Sequence, residues 1–223
     1  MIYAFIQARM NSRRLPGKVL MQICEKTVLE HIIERVKCAK LIDKIIVATS
    51  INEENDAIEN LCKQLNTLCF RGSEDDVLER FKGAVKTFGI KDNDSIVRIT
   101  GDCPLVCPDL IDVIISHHDD NDLTTNCIRR TFPDGLDIEV FKAGILKRPD
   151  FHKINFFEKE YDINFLWSGF KVLAIVQKQD LSSLRWTLDT ESDFEFIKSI
   201  YEKLYKSGQI FYTEDILRCL EQS

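Results

Sequence analysis

The sequence predicts a single α/β domain built on a mostly parallel sheet, and three observations lead there. Strand-like and helix-like segments alternate four times over residues 1–120, the order in which parallel strands and their crossover helices are laid down. The strand-like segments are short and apolar along most of their length, as strands covered on both faces must be. The stretches richest in chemistry directly follow strands, and ligands of such sheets bind beyond the strands' carboxyl ends.

In order, IYAFIQA (2–8) reads as a buried strand. TVLEHIIERVKCAKLI (27–42) carries apolar residues at 28, 29, 32, 33, 36 and 39, the period of an amphipathic helix. KIIVATS (44–50) is the second strand and EENDAIENLCKQL (53–65) the next helix. TLCFRG (67–72) and DDVLERFKGAVKTF (75–88) make the third strand and helix; DSIVRITG (94–101) and PDLIDVIISHHDD (108–120) make the fourth pair. The second half is less regular. LTTNCIR (123–129), GLDIEVFKAGIL (135–146) and FKVLAIV (170–176) suggest strands, and a helix follows at 191–206. No Pro/Gly/Ser-rich linker or repeat divides the chain, so residues 1–223 are read as one domain whose second half extends the sheet and covers its active edge.

Composition narrows the function classes. The formal net charge of −6 over 223 residues argues against a general nucleic-acid binder, which presents a basic surface. No apolar run approaches the ~20 residues that span a bilayer. MIYAFI is too short for the apolar region of a signal peptide and lacks a basic segment before it, so a cytoplasmic location is expected. The eight cysteines are scattered without a CxxC pair, which points to reduced, mostly buried thiols rather than a zinc site. HHDDND (117–122) reads as a solvated helix end, its neighbouring histidines on different helix faces. Trp167 and Trp186 read as packing residues.

Four stretches carry candidate chemistry. QARMNSRRLPGK (7–18) holds Arg9, Arg13, Arg14 and Lys18 behind the first strand. A strand-to-helix loop with such cations suits a phosphate, although GxxxxGK[ST] is absent and Gly17 is its only glycine; the alternative is a solvated basic turn. In TGDCPL (100–105), Asp102 ends a strand, and a carboxylate there suits magnesium bridging phosphate oxygens; the alternatives are a helix cap or a turn. In SLRWTLDTESDF (183–194), Thr190, Glu191 and Asp193 read as helix-capping residues, which leaves Asp189 for a ligand. In FPDGLDIEVF (132–141), Asp137 and Glu139 alternate along a strand and share a face. With Asp134 they suit sugar hydroxyls, an amine or a metal; the alternative is a turn at Pro133–Gly135 and a strand with its polar residues outward.

Taken in order, QARMNSRRLPGKVL, FRGSEDDVLERF, VRITGDCPL, FPDGLDIEVF and LRWTLDTESDF resemble successive blocks of the cytidylyltransferase family. That family includes the CMP-sugar synthetases for 3-deoxy-manno-octulosonate and acylneuraminate, and the spore coat polysaccharide biosynthesis protein F group, whose pattern is nearest. The resemblance runs from residue 2 to about 205. It implies a three-layer α/β/α sandwich of nucleotide-diphospho-sugar transferase, Rossmann-like type. It implies a magnesium-dependent transfer of CMP from CTP to a sugar, sugar acid or sugar phosphate with release of pyrophosphate, serving surface polysaccharide or glycoconjugate synthesis. Residues 1–120 would bind the nucleotide, and 121–223 the acceptor and a second subunit of a homodimer.

By the same resemblance, Ala8, Arg9, Met10, Asn11, Ser12, Arg13 and Lys18 surround the triphosphate together with Thr100. Arg71, Gly72 and Ser73 lie near the base. Asp102 and Asp189 hold Mg2+; Arg9, Lys18 and Asp102 serve catalysis; Asp134, Gly135, Asp137 and Glu139 meet the acceptor. Three departures stand out. Asn11 replaces a usual Gly and Arg13 a usual Thr, and segment 157–169 has Glu160, Tyr161 and Asp162 where relatives carry a His and a Thr-Pro. Another nucleotide, a non-sugar phosphate acceptor and a non-catalytic nucleotide-binding role stay open. A glycosyltransferase would show DxD where this strand ends in GDCP.

Overall fold

Strand β1 (Ile2–Gln7) is the hub of the sheet because both its faces are apolar. Ala4 and Ile6 enter one core and Tyr3 and Phe5 the other, as the two-residue period of a strand requires. The computed structural model describes residues 1–148 and 169–222. Trp167 and nearly all of segment 157–169 lie outside the described residues.

β1 pairs in parallel with β4 (Lys44–Ser50) and β6 (Ser95–Thr100), and β4 with β5 (Leu68–Gly72). The second half then adds β8 (Glu139–Lys142), β7 (Leu123–Thr125) and β9 (Val172–Ala174), giving the order β5-β4-β1-β6-β8-β7-β9. Among the described strands of this sheet only β8 runs against the rest, antiparallel to both β6 and β7. Helices α1 (Val28–Lys37), α2 (Asp56–Gln64), α3 (Val77–Thr87), α4 (Pro108–Ser116), α5 (Glu191–Leu204) and α6 (Thr213–Glu221) form the outer layers. Residues of α1, α2, α4, α5 and α6 share one core with the sheet, and those of α3 and the 3-10 turn Ala143–Lys147 share the other. The predicted three-layer sandwich is therefore the observed one.

Local signals explain the element ends. Thr27 and Glu30 form a capping box at α1, and Thr190 and Asp193 another at α5; each satisfies backbone donors that have no helical partner. α1 stops at Lys37 rather than running to 42, and the Asp112 carboxylate accepts the Lys40 and Leu41 N–H groups at 2.9 Å each. The strand expected over 135–146 shrinks to β8, because Gly135 turns before it and the 3-10 turn follows. Two elements carried too little sequence signal to be read: α6, and the hairpin β2 (Gln22–Ile23)–β3 (Lys26–Thr27). Trp186 is a core residue, as expected.

The site follows from the strand order. The chain steps outward from β1 to β4 and β5, then returns to place β6 on the other side of β1. A crevice opens at the carboxyl ends of strands where the order reverses in this way. Gly101, leaving β6, donates its N–H to Gln7 O at 2.8 Å, and a Cβ at 101 would stand 3.0 Å from that oxygen. The loop after β6 is held from below by the Tyr201 hydroxyl on Pro104 O at 2.6 Å and by Arg35 Nε on Val106 O at 2.7 Å.

His118 departs from its expected solvated place. His117 is exposed, but His118 is 3% exposed, with Nδ1 3.1 Å from Thr124 Oγ1. Burial, reinforced by Lys142, lowers its pKa to about 4. The unfolded imidazole charges near ~6.5, so this group's contribution to stability is intact above that pH and is lost as pH falls toward 4, by up to about 3 kcal/mol. His31, lowered chiefly by burial, acts in the same direction. Urea unfolding across pH 4–7 should give a shallower acid decline for His118→Asn than for the wild type, and NMR should find the native His118 ring neutral down to about pH 4.

Candidate active site

The loop after β1 is closed by its own backbone. Met10 O accepts N–H groups from Ser12 at 2.9 Å and Gly17 at 2.8 Å. Gly17 has φ 72°, a conformation that costs glycine little, and it leads into the short turn Lys18–Leu20. Asn55, fully buried, anchors the loop from the neighbouring crossover. Its Oδ1 accepts from Met10 N at 2.9 Å and from Thr49 Oγ1 at 3.2 Å. Lys18 is thereby turned inward and is only 7% exposed.

An open cleft of about 660 Å³ lies beneath this loop. Lys18 Nζ donates to Leu188 O at 2.6 Å and Asp189 Oδ1 at 3.0 Å, and lies 3.4 Å from Asp102 Oδ2. Thr100 Oγ1 donates to the other Asp102 oxygen. The Asp102 carbonyl receives Leu188 N at 2.8 Å and Thr187 Oγ1 at 3.3 Å, which ties the loop after β6 to the segment before α5. The other Asp189 oxygen, Oδ2, meets Arg14 at 2.7 Å and Arg185 at 3.0 Å. Arg185 continues to Asp134 at 3.0 Å and to Asp193 at 3.1 Å. The hydrogen bonds to Asp193 are the main reason that its guanidinium pKa is raised.

The PDGLD turn forms the far wall. Leu136 N donates to Pro133 O at 3.2 Å, and Gly135 has φ 108°. A Cβ there would stand 2.5 Å from Thr187 N. Trp186 N donates to Asp134 O at 2.6 Å, so the turn is fastened to the strip that leads to Asp189. Asp137 and Glu139 do not point outward. Asp137 is buried and takes two hydrogen bonds from Arg130, at 2.7 and 3.2 Å. Burial opposes the Arg130 charge, but Asp137 outweighs it and raises the arginine's pKa. Glu139 is buried against Arg98 at 2.6 Å, and Arg98 Nε reaches Gln7 Oε1 at 3.2 Å.

Ala8, Arg9, Ser12, Arg13, Lys18, Thr100, Asp102, Asp134 and Asp189 line the cleft. Arg9, half-exposed, pairs with Glu74 at 3.1 Å. Met10 packs against the core and Asn11 bonds Glu54. Arg71 turns elsewhere: it pairs with Asp56 at 2.6 Å and Glu59 at 2.8 Å, and binds the carbonyls of Ser50, Ile51 and Asn52. Gly72 packs closely against Phe70 and Arg80, and the Ser73 hydroxyl accepts Asp76 N at 3.1 Å. Asp102 caps no helix, because Cys107 is the residue before α4. Arg14, which a solvated basic turn would leave on the surface, pairs with Asp189. Arg98, Arg185 and Thr187 also line the cleft and Asn55 anchors its loop, beyond the residues the sequence motifs mark. Arg98 had a signal, a lone charge inside the apolar strand SIVRIT. The described residues contain no cluster of three metal-ligating side chains. The oxygen pair Asp102 and Asp189 does converge on one cation, and two carboxylates completed by phosphate and water suit Mg2+.

Residues 3–153 match the family described as Cytidylyltransferase. The chain is 35% identical over 214 residues to spore coat polysaccharide biosynthesis protein SpsF of Bacillus subtilis (strain 168), a match covering 91% of this chain and 87% of that protein. It is 38% identical over 112 residues to the 8-amino-3,8-dideoxy-manno-octulosonate cytidylyltransferase of Shewanella frigidimarina, covering 50% of this chain and 44% of that one. The solved structure of a cytidylyltransferase from Leptospira borgpetersenii superposes with a TM-score of 0.85 at 31% identity, over 99% of this chain and 94% of that chain.

Gly135→Ala should lower stability by about 1–3 kcal/mol, since the new Cβ meets backbone in a conformation alanine avoids. Thermal unfolding reads this, and an unchanged midpoint would remove the tight turn from the architecture of the site.

Proposed function

The chain belongs to the cytidylyltransferase family, and we propose that it is a magnesium-dependent enzyme that transfers CMP from CTP to a sugar, sugar acid or sugar phosphate for a surface polysaccharide or glycoconjugate. The observation that carries this reading is the convergence of Asp102, Asp189 and Lys18 beneath a loop bearing Arg9, Arg13 and Arg14. The sugar-type acceptor is supported by the names of two relatives, one tied to a spore coat polysaccharide and one to an amino-dideoxy-octulosonate.

An acceptor oxygen bonds to the α-phosphorus of CTP, the bond from that phosphorus to the bridging oxygen breaks, and pyrophosphate leaves. Charge gathers on the departing phosphates, so the protein's task is to orient the reactants and to place positive groups where charge develops. Arg9, Arg13 and Lys18 do this on the triphosphate side. Asp102 and Asp189 would hold Mg2+, which when bound polarises the phosphate for attack. Asp134 and Arg185 also line the cleft and offer acceptor and donor groups to a polar sugar.

Incubation with each of the four NTPs, Mg2+ and a panel of sugars, sugar acids and sugar phosphates should release pyrophosphate with CTP alone and with one acceptor class. Release with UTP but not CTP would overturn the base assignment, and release with no pair would overturn the transferase reading. Asp102→Asn should cut kcat by ~100-fold or more, the scale of losing a charged group at a phosphoryl-transfer centre, with its melting temperature near that of the wild type. Wild-type turnover in that variant would take Asp102 out of the mechanism.

A further inference from the structure

Lys18 stands where a metal-binding carboxylate pair would need its cation. Its ammonium has three partners for its three donors: Leu188 O, Asp189 Oδ1 and Asp102 Oδ2, at 2.6, 3.0 and 3.4 Å. The remaining Asp189 oxygen is taken by Arg14 and Arg185. Every cation-facing oxygen of Asp189 therefore already has a positive partner, and a second cation entering the pair must displace the first.

We infer that Lys18 is the resident counter-ion of Asp102 and Asp189, keeping a divalent cation out until a nucleotide polyphosphate in the adjoining basic loop draws the ammonium away. This rests on the proposed placing of CTP and Mg2+ at the same site. Two neighbouring carboxylates repel unless cations sit beside them; Arg14 and Arg185 meet only Asp189, whereas Lys18 touches both members of the pair. Lysine suits the role because its charge rides on a flexible four-carbon stem with freely rotating donors. The exchange is also local. Lys18 follows Gly17 on the turn that ends the basic loop, and Arg9, Ser12 and Arg13 line the same cleft. A polyphosphate bound there presents the ammonium with a larger negative charge than either carboxylate, and the flexible lysine stem lets the ammonium change partners by side-chain rotation. The consequence is an order of binding: the nucleotide and the divalent cation enter together, and the cation alone binds weakly.

The test is Mn2+ binding to the ligand-free full chain, read by calorimetry and by the loss of free-ion electron paramagnetic resonance signal. Lys18→Met should bind Mn2+ at least ~10-fold more tightly than the wild type, since a close like charge shifts an ionic equilibrium by about one to three powers of ten. Adding Asp102→Asn to Lys18→Met should abolish that gain. Arg14→Gln alters an exposed side chain that can be lost without harm to the fold, and should tighten Mn2+ by about two- to five-fold, the worth of an exposed ion pair. Equal Mn2+ affinity in the wild type, Lys18→Met and Arg14→Gln would overturn the counter-ion role. Because these titrations contain no substrate, that result would leave the transferase reading to stand or fall on pyrophosphate release.

Discussion

Burying the Lys18 ammonium is tolerable only because two carboxylates and a carbonyl reach it from parts of the chain that are remote in sequence. An isolated buried charge costs several kcal/mol. Asp102 arrives from the loop after β6, and Leu188 and Asp189 from the strip before α5. The fold must therefore bring residues 18, 102 and 189 to one point, and much of the architecture serves that end. The return of the chain to β6 sets Asp102 beside the loop of β1. Tyr201 and Arg35 fix the loop that carries it. The hydrogen bond from Leu188 N to Asp102 O then sets the distance between the two carboxylates.

The second half of the chain has a related job. Its strands are short, and β8 reverses direction. That reversal lets the return from β7 to β8 deliver the PDGLD turn to the same edge of the sheet as the loops of β1 and β6. Gly135 is the contact point, and only a residue without Cβ lets that turn lie against Trp186 and Thr187. The turn and the strip before α5 then form one wall, with Arg185 bonded to Asp134, Asp189 and Asp193 at once.

Two ion pairs lie behind the cleft wall: Arg98, which lines the cleft, with buried Glu139, and half-buried Arg130 with buried Asp137. Desolvation makes such pairs poor sources of net stability, although removing one member is costly. Their value here is orientation. Arg130 holds the carboxylate at the end of the PDGLD turn, and Arg98 with Glu139 ties β8 to β6 through side chains at a position where their backbones are already in register.

The sequence by itself determined the layers and the edge at which the candidate site lies. Apolar strands such as KIIVATS can be stable only between two layers, and Thr27–Glu30 and Thr190–Asp193 mark helix starts through contacts three residues long. The basic loop, Asp102 and Asp189 were legible because each sits just past a strand or just before a helix. Tertiary structure alone decided which charges meet. Arg71 was drawn to Asp56 and Glu59, Arg14 to Asp189, Glu139 to Arg98 and His118 into the interior. Periodicity and capping act over a few residues, whereas Lys18 and Asp189 lie 171 positions apart. The energy of a charge depends on what the fold sets beside it, and that is a property of packing rather than of local sequence.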